Sequence, residues 1–249
     1  MKHLKTALLL AGISFVGFIA AIPYLQATLG AVLQGANIPI PAAIAASVVQ
    51  GTVMAFAAAW IGLKLGERVG LGAPIVRRWV HREGDAAFKR KDVLLAVLGG
   101  AVATGFVIAL ELLVFMPQLP VLSQKQPEVS WLAGMLTFIQ GGVYEEILLR
   151  LLLMTLIVWL LQRLFARGGS AQPWMYITGI VLAAVLFGLG HLPATEQVFG
   201  SLTALLVVRA IVMNGVLGLF CGWLYWRKGL EYAMIAHAVG DILLHGVFS

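Results

Sequence analysis

The sequence predicts an all-α, polytopic integral-membrane bundle of about seven transmembrane helices, one of them broken near Gly141–Gly142. Three observations carry that prediction. The 249 residues are 61% hydrophobic and only 11% charged, against about 25% charged for a soluble domain. Apolar stretches long enough to cross a bilayer, which takes about 20 residues, recur along the whole chain. The lysines and arginines cluster in short loops between those stretches, where they act as topology signals. That clustering accounts for the formal net charge of +6 and argues against a nucleic-acid partner. The one cysteine, Cys221, lies inside a span, so neither a disulfide within the chain nor a cysteine-based metal site can be assembled.

Taken in order, Lys2 and Lys5 precede an apolar stretch from Thr6 to about Gly30. It exceeds the roughly 7 to 15 residues of a signal-peptide core and lacks a small-x-small cleavage site, so it reads as the first span. A proline-containing link, Asn37–Pro41, leads to a second span from about Ala42 to Leu65. The longest polar loop, Gly66–Lys91, carries Arg68, Arg77, Arg78, Arg82, Lys89, Arg90 and Lys91, which places it in the cytoplasm. Asp92 to about Phe115 is the third span, with Glu111 near its far end, and a proline-rich link covers Met116–Val129.

From Ser130 to Arg167 there is no proline and almost no polar break. One helix from Ser130 to Phe165 would be about 54 Å long, against a hydrocarbon core of roughly 30 Å. A break or a protruding end is therefore expected, and Gly141–Gly142 is the natural place for the break. Arg163 and Arg167 return the chain to the cytoplasm. The fifth span runs from Trp174 to His191, a link covers Leu192–Gly200, and the sixth span runs from about Ser201 to Trp226. That sixth span holds Arg209, whose counter-charge is expected to be Glu111 or Glu196. Arg227 and Lys228 mark the cytoplasm again before the last span, Glu231–Phe248. The alternation puts the N-terminus inside and the C-terminus outside, in a multi-pass protein expected in a prokaryotic cell membrane. No separate soluble domain and no fixed-period repeat is visible.

The chemistry concentrates in the run Tyr144–Arg150, where Glu145, Glu146 and Arg150 interrupt leucines and isoleucines. A charge near the middle of a membrane helix costs roughly 2.5 to 3.5 kcal/mol, so three within six residues need a reason. Glu146 and Arg150 are four apart and share a helix face, in the favourable acid-before-base order. Glu145 points about 100° away. One carboxylate is thus paired while the other is left in a drier place, the situation of a general base. A purely structural staple between helices explains the same motif equally well. On the last span His237, Asp241 and His245 recur every four residues and form one stripe, and His191 ends the fifth span.

Elimination narrows the class. Membrane aspartyl proteolysis needs two aspartates sharing a proton, but the other aspartates, Asp85 and Asp92, are loop or loop-edge residues. No GxSxG-type serine turn and no HExxH zinc helix is present. What remains is chemistry run by glutamate and histidine on separate helices.

Glu145-Glu146-x-x-x-Arg150, then Phe187-x-x-x-His191, then His237-x-x-x-Asp241, with the Gly218–Leu224 stretch before the last motif, resembles the CPBP family of intramembrane proteases. This CAAX-processing and bacteriocin-processing (Abi) group includes the Rce1-like prenyl-protein endoproteases. The resemblance covers about Gly142–Ser249, so residues 130–249 read as a catalytic core and 1–129 as a variable three-span scaffold. It implies an intramembrane endopeptidase in which Glu145 and His191 activate the attacking water while His237 and the residue at 241 stabilise the oxyanion. Glu146 and Arg150 would hold the helix in place. Position 241 in the family is often asparagine; the aspartate here is either kept protonated by its apolar site or, the preferred reading, orients His237. Glu145, His191 and His237 are also acceptable ligands for a catalytic divalent metal such as zinc, and the group has been described both as metalloproteases and as metal-independent. Membrane lipids and a peptide or membrane-protein substrate, prenylated in the CAAX case, are the implied partners. The alternatives are a non-catalytic immunity or adaptor protein on the same fold, and a proton-coupled transporter, which the missing internal repeat disfavours. One geometric tension accompanies the resemblance. Glu145 and His191 fall at the outer ends of their spans, while His237 begins about 9 Å from the inner end of its own.

Overall fold

The computed structural model describes residues 2–35, 39–119 and 129–248. The links expected at Asn37–Pro41 and Met116–Val129 fall partly and mostly, respectively, outside the described residues. Every regular element among the described residues is a helix.

The first span is two helices rather than one: α1, Lys2–Ala20, and α2, Ile22–Gly35, meet at Ala21. The cause is Pro23, whose ring removes an N–H and crowds the carbonyl four residues earlier, so a continuous helix cannot pass. The next helix, α3, spans Ile40–Val69 and stops at Gly70, whose φ of 69° ends it in the left-handed region. The loop Gly66–Lys91 is therefore not all loop. It contains the amphipathic helix α4, Pro74–His81, which buries Ile75 and Val76. Helix α5, Arg90–Leu110, continues through a π turn, Glu111–Phe115, and a short 3₁₀ turn, Met116–Gln118.

The long fourth segment shows both devices expected of it, with one displaced. Its first leg, α6, covers Trp131–Met135, and the ladder breaks at Leu136–Thr137, where Thr137 Oγ1 donates to Gly134 O at 2.7 Å. The break near Gly141–Gly142 thus lies about a turn earlier, because the threonine hydroxyl competes for the backbone acceptor. Gly141 and Gly142 instead sit in a π turn, Gln140–Glu145, followed by a second π stretch, Ile147–Met154. Helix α7, Thr155–Phe165, completes the segment. Then come α8, Pro173–Gly190, α9, Leu192–Phe199, and α10, Ala204–Arg227. Pro173 opens α8, and Thr203 caps α10 by accepting from Leu206 N. The last helix, α11, covers Leu230–Asp241 and runs on as a π turn, Ile242–Val247. Gly229, at φ 114°, makes the turn into it, a conformation that only glycine adopts freely.

Six of these segments are long and apolar enough to cross a membrane: Lys2–Ala20, Ile40–Val69, Arg90–Gln118, Trp131–Phe165, Pro173–Phe199 and Ala204–Arg227. The seventh, α11 with its π turn, is less apolar because it carries Glu231, His237, Asp241 and His245. It compensates by position. Leu230, Ala233 and Ala236 have no exposed surface, and α11 lies against α5, α10 and the π turn Gln140–Glu145. The polar helix is the axis of the bundle, and the apolar helices take the surface that lipid would wet.

One end of the bundle gathers the basic loops. Lys2 pairs with Glu83 at 3.0 Å, Lys228 with Asp92 at 2.8 Å, and Tyr176 donates to Val69 O at 2.6 Å. Glu231, 4% exposed at the start of α11, accepts from the Ile75 and Val76 amides at 2.8 Å each and so caps α4. Toward the other end Arg209 makes a two-pronged pair with Glu111, both contacts 2.9 Å. Of the two counter-charges expected, Glu111 is the one used.

Candidate active site

The middle of the bundle is organised by Arg150. Its guanidinium is 2% exposed, lies 2.9 Å from Glu146 Oε1 and donates to Gly218 O at 2.8 Å. The i,i+4 pair read from the sequence is therefore present. Gly218 permits it, since a Cβ there would come within 3.3 Å of the guanidinium nitrogen. The same Glu146 oxygen is 2.7 Å from His237 Nδ1. A cation on one helix, a carboxylate one turn before it and an imidazole on α11 thus form a continuous chain in which the fully buried Glu146 is the central link.

That chain fixes His237. With Nδ1 committed to Glu146, the ring presents Nε2 to the space beside Glu145, whose Oε2 is 3.6 Å away, and Asp241, whose Oδ1 is 3.7 Å away. Both distances are too long for direct hydrogen bonds and leave the three groups free to engage a third molecule. Glu145 retains 27% of its side-chain surface, whereas His237 and Asp241 keep 5% and 10%. The glutamate is the most accessible of the three.

Two of the roles expected from sequence shift accordingly. Asp241 does not hold His237 in the manner of a triad acid, because it lies too far from Nε2 and on the wrong side of the ring. Glu146 does so, and this was missed because helical spacing shows a residue's partners only along its own helix. The available signal was the fixed face shared by Glu146 and Arg150. His191 is the second shift. Its Nδ1 lies 3.0 Å from Phe187 O of its own helix, and its ring packs edge-to-face on Phe187 with centroids 4.7 Å apart. Phe187 also neighbours His237, at 6.0 Å, and the Arg150 guanidinium, at 5.8 Å. The two histidines therefore flank one phenyl ring, with His191 a turn further along α8. His245, third in the stripe, is not in this cluster; it packs on Tyr24 with ring centroids 5.7 Å apart.

The tension over depth resolves through α7. Thr155 Oγ1 is 2.7 Å from the Tyr225 hydroxyl, and Tyr225 stands two residues before the basic Arg227. The ten residues from Thr155 to Phe165 run on for about 15 Å beside α3 and α8, where Gln162 donates to Arg68 O and Phe165 packs on Trp174. Counted from Thr155, Glu146 lies nine residues further in, about 14 Å, and His237 lies seven residues from Leu230, about 10 Å. The acid and imidazole groups meet at one depth, with Glu146 Oε1 2.7 Å from His237 Nδ1.

The ligand-type side chains gathered here differ from the set expected for a divalent metal. Among the described residues the ligand-type side chains brought within 4.8 Å of one another are Glu146, Cys221 and His237, not the expected Glu145, His191 and His237. Glu146 Oε1 already serves a guanidinium and an imidazole, so an ion there would sit beside a fixed cation, whereas Glu146 Oε2 is buried without a hydrogen-bond partner.

These features define a class: a helical integral-membrane protein whose polar axis holds carboxylates and an imidazole side by side. Residues 127–243 match the family described as type II CAAX prenyl endopeptidase Rce1-like. That stretch is thus similar to the Rce1-like family, and it holds all three motifs that carried the resemblance in the sequence. No curated protein and no solved structure matches the chain.

Proposed function

We propose that this protein is an intramembrane endopeptidase that hydrolyses a peptide bond in a membrane-associated peptide or protein, of the CAAX type or related to it. The supporting observation is the pairing of an accessible Glu145 with His237 Nε2 at 3.6 Å, the other ring nitrogen being locked by buried Glu146. In this reading a water molecule between them gives a proton to Glu145 as its oxygen attacks the carbonyl carbon. The resulting oxyanion is met from the His237 side. The C–N bond then breaks as the proton passes from Glu145 to the leaving amine. His191, across the Phe187 ring from His237, assists in holding the water.

Cleavage of a quenched fluorogenic peptide by purified protein tests the reading, read beside thermal melting in the same detergent. Glu145→Gln is expected to lower kcat by about 10² to 10⁴ with melting unchanged, and a chelator is expected to leave the wild type active. Full activity in Glu145→Gln would remove the protease reading. One observation favours the non-catalytic module: His191 spends a ring nitrogen on its own helix. That reading requires Glu145→Gln to preserve the biological effect in cells.

A further inference from the structure

A cavity of about 670 Å³ opens at the basic end of the bundle. The buried Tyr225, whose hydroxyl is 2.7 Å from Thr155 Oγ1, is among its lining residues. Its wall carries Lys2, Arg77, Arg227 and Lys228 with His3 and His81, and among the lining residues Glu67 is the one acid. Pairing uses up most of this charge. Lys2 meets Glu83 at 3.0 Å, Arg77 meets Glu67 at 3.3 Å and Lys228 meets Asp92 at 2.8 Å. Arg227 lies 5.4 Å from the Trp226 ring and has no carboxylate partner among the described residues. Four cations against Glu67, Glu83 and Asp92 leave one positive charge, before either histidine is protonated.

One unpaired guanidinium in a cavity of ligand size calls for one anion. A guanidinium fork matches two oxygens of a phosphate better than any other common biological anion except a carboxylate. The setting selects between these. Trp226 stands on the wall and stacks on Tyr176 with centroids 4.9 Å apart, and aromatic side chains at span ends mark the level of lipid headgroups. We propose that this cavity binds the phosphodiester headgroup of an anionic glycerophospholipid, with Arg227 as its anchor.

Purified protein in neutral detergent, titrated with phosphatidylglycerol, phosphatidylcholine or inorganic phosphate and followed by native mass spectrometry, tests this. One phosphatidylglycerol per chain is expected to stay bound where phosphatidylcholine does not. Arg227→Gln is expected to weaken retention about fivefold. Arg77→Gln, also on the wall, is expected to weaken it as well and serves as the second variant if Arg227→Gln melts early in detergent alone. Arg163→Gln, at the same end but outside the cavity, is expected to change nothing. Equal loss in Arg163→Gln would show diffuse surface attraction and overturn the site, as would unchanged retention in both wall variants or equal retention of phosphatidylcholine. Saturable inorganic phosphate binding that needs Arg227, without lipid retention, would overturn the lipid source and assign the same chemistry to a soluble anion.

Discussion

At the scale of single residues, the weight falls on Arg150. Its charge is buried, so its cost is met only by keeping Glu146 and the Gly218 carbonyl in place. Removing one partner of such a pair costs roughly 3 to 5 kcal/mol because the other is left uncompensated. Arg150→Ala is therefore expected to lower melting sharply and to lose folded protein, whereas Glu145→Gln is not. Asp241 is a different case. A carboxylate beside a developing oxyanion helps only while it carries a proton, whereas an asparagine amide donates permanently. Asp241→Asn is expected to keep cleavage at least at the wild-type level; a drop beyond tenfold would assign the carboxylate an indispensable part. Much of this site was legible in the chain, since Glu145, Glu146, Arg150, His237 and Asp241 all converge. What was not legible is which carboxylate takes which nitrogen of His237, because that depends on how two helices rotate against each other, and local spacing is silent on rotation.

At the scale of elements, the widened turn at Gln140–Glu145 is what lets the acid-bearing helix come close to α11. Gly142 faces Ala238, and a Cβ on it would lie 3.0 Å from the Ala238 Cβ and 3.1 Å from Met234 O. At Gly141 an added Cβ would meet the Asp241 carboxylate itself. Gly142→Val is expected to cost about 1 to 3 kcal/mol by overpacking and to reduce cleavage more than the melting shift explains, since it pushes Glu145 from His237. Unchanged kcat in that variant would mean the contact does not set the catalytic distance. Spans with long apolar runs were readable to within a few residues. The bend at Pro23, the helix inside the basic loop and the break at Leu136–Thr137 were not. Each arises from a local backbone competition, a ring, a cap or a hydroxyl, that hydrophobic patterning does not record.

At the scale of the whole molecule, the loop charges and the contacts agree on one basic end, joined by Lys2 to Glu83 and by Lys228 to Asp92. The positive-inside rule predicts that this end lies in the cytoplasm, an expectation that is checked directly. Cys221, the one cysteine of the chain, is fully buried, so the unmodified protein should be silent to a membrane-impermeant maleimide. A cysteine placed at Asp85 is expected to react only after the cell membrane is opened. Reaction in intact cells would invert the topology.

The polar axis also constrains how the protein is made. A segment carrying Glu231, His237, Asp241 and His245 gains too little from lipid to leave the translocon alone, at a toll of about 2.5 to 3.5 kcal/mol for an ionised group near its centre. Its counterparts, Glu146 and Arg150, are synthesised some ninety residues earlier and already stand in the bilayer. Leu230–Val247 should therefore enter by docking onto a waiting half-assembled bundle, so that the hydrolytic apparatus comes into being at the closing act of biogenesis and not before.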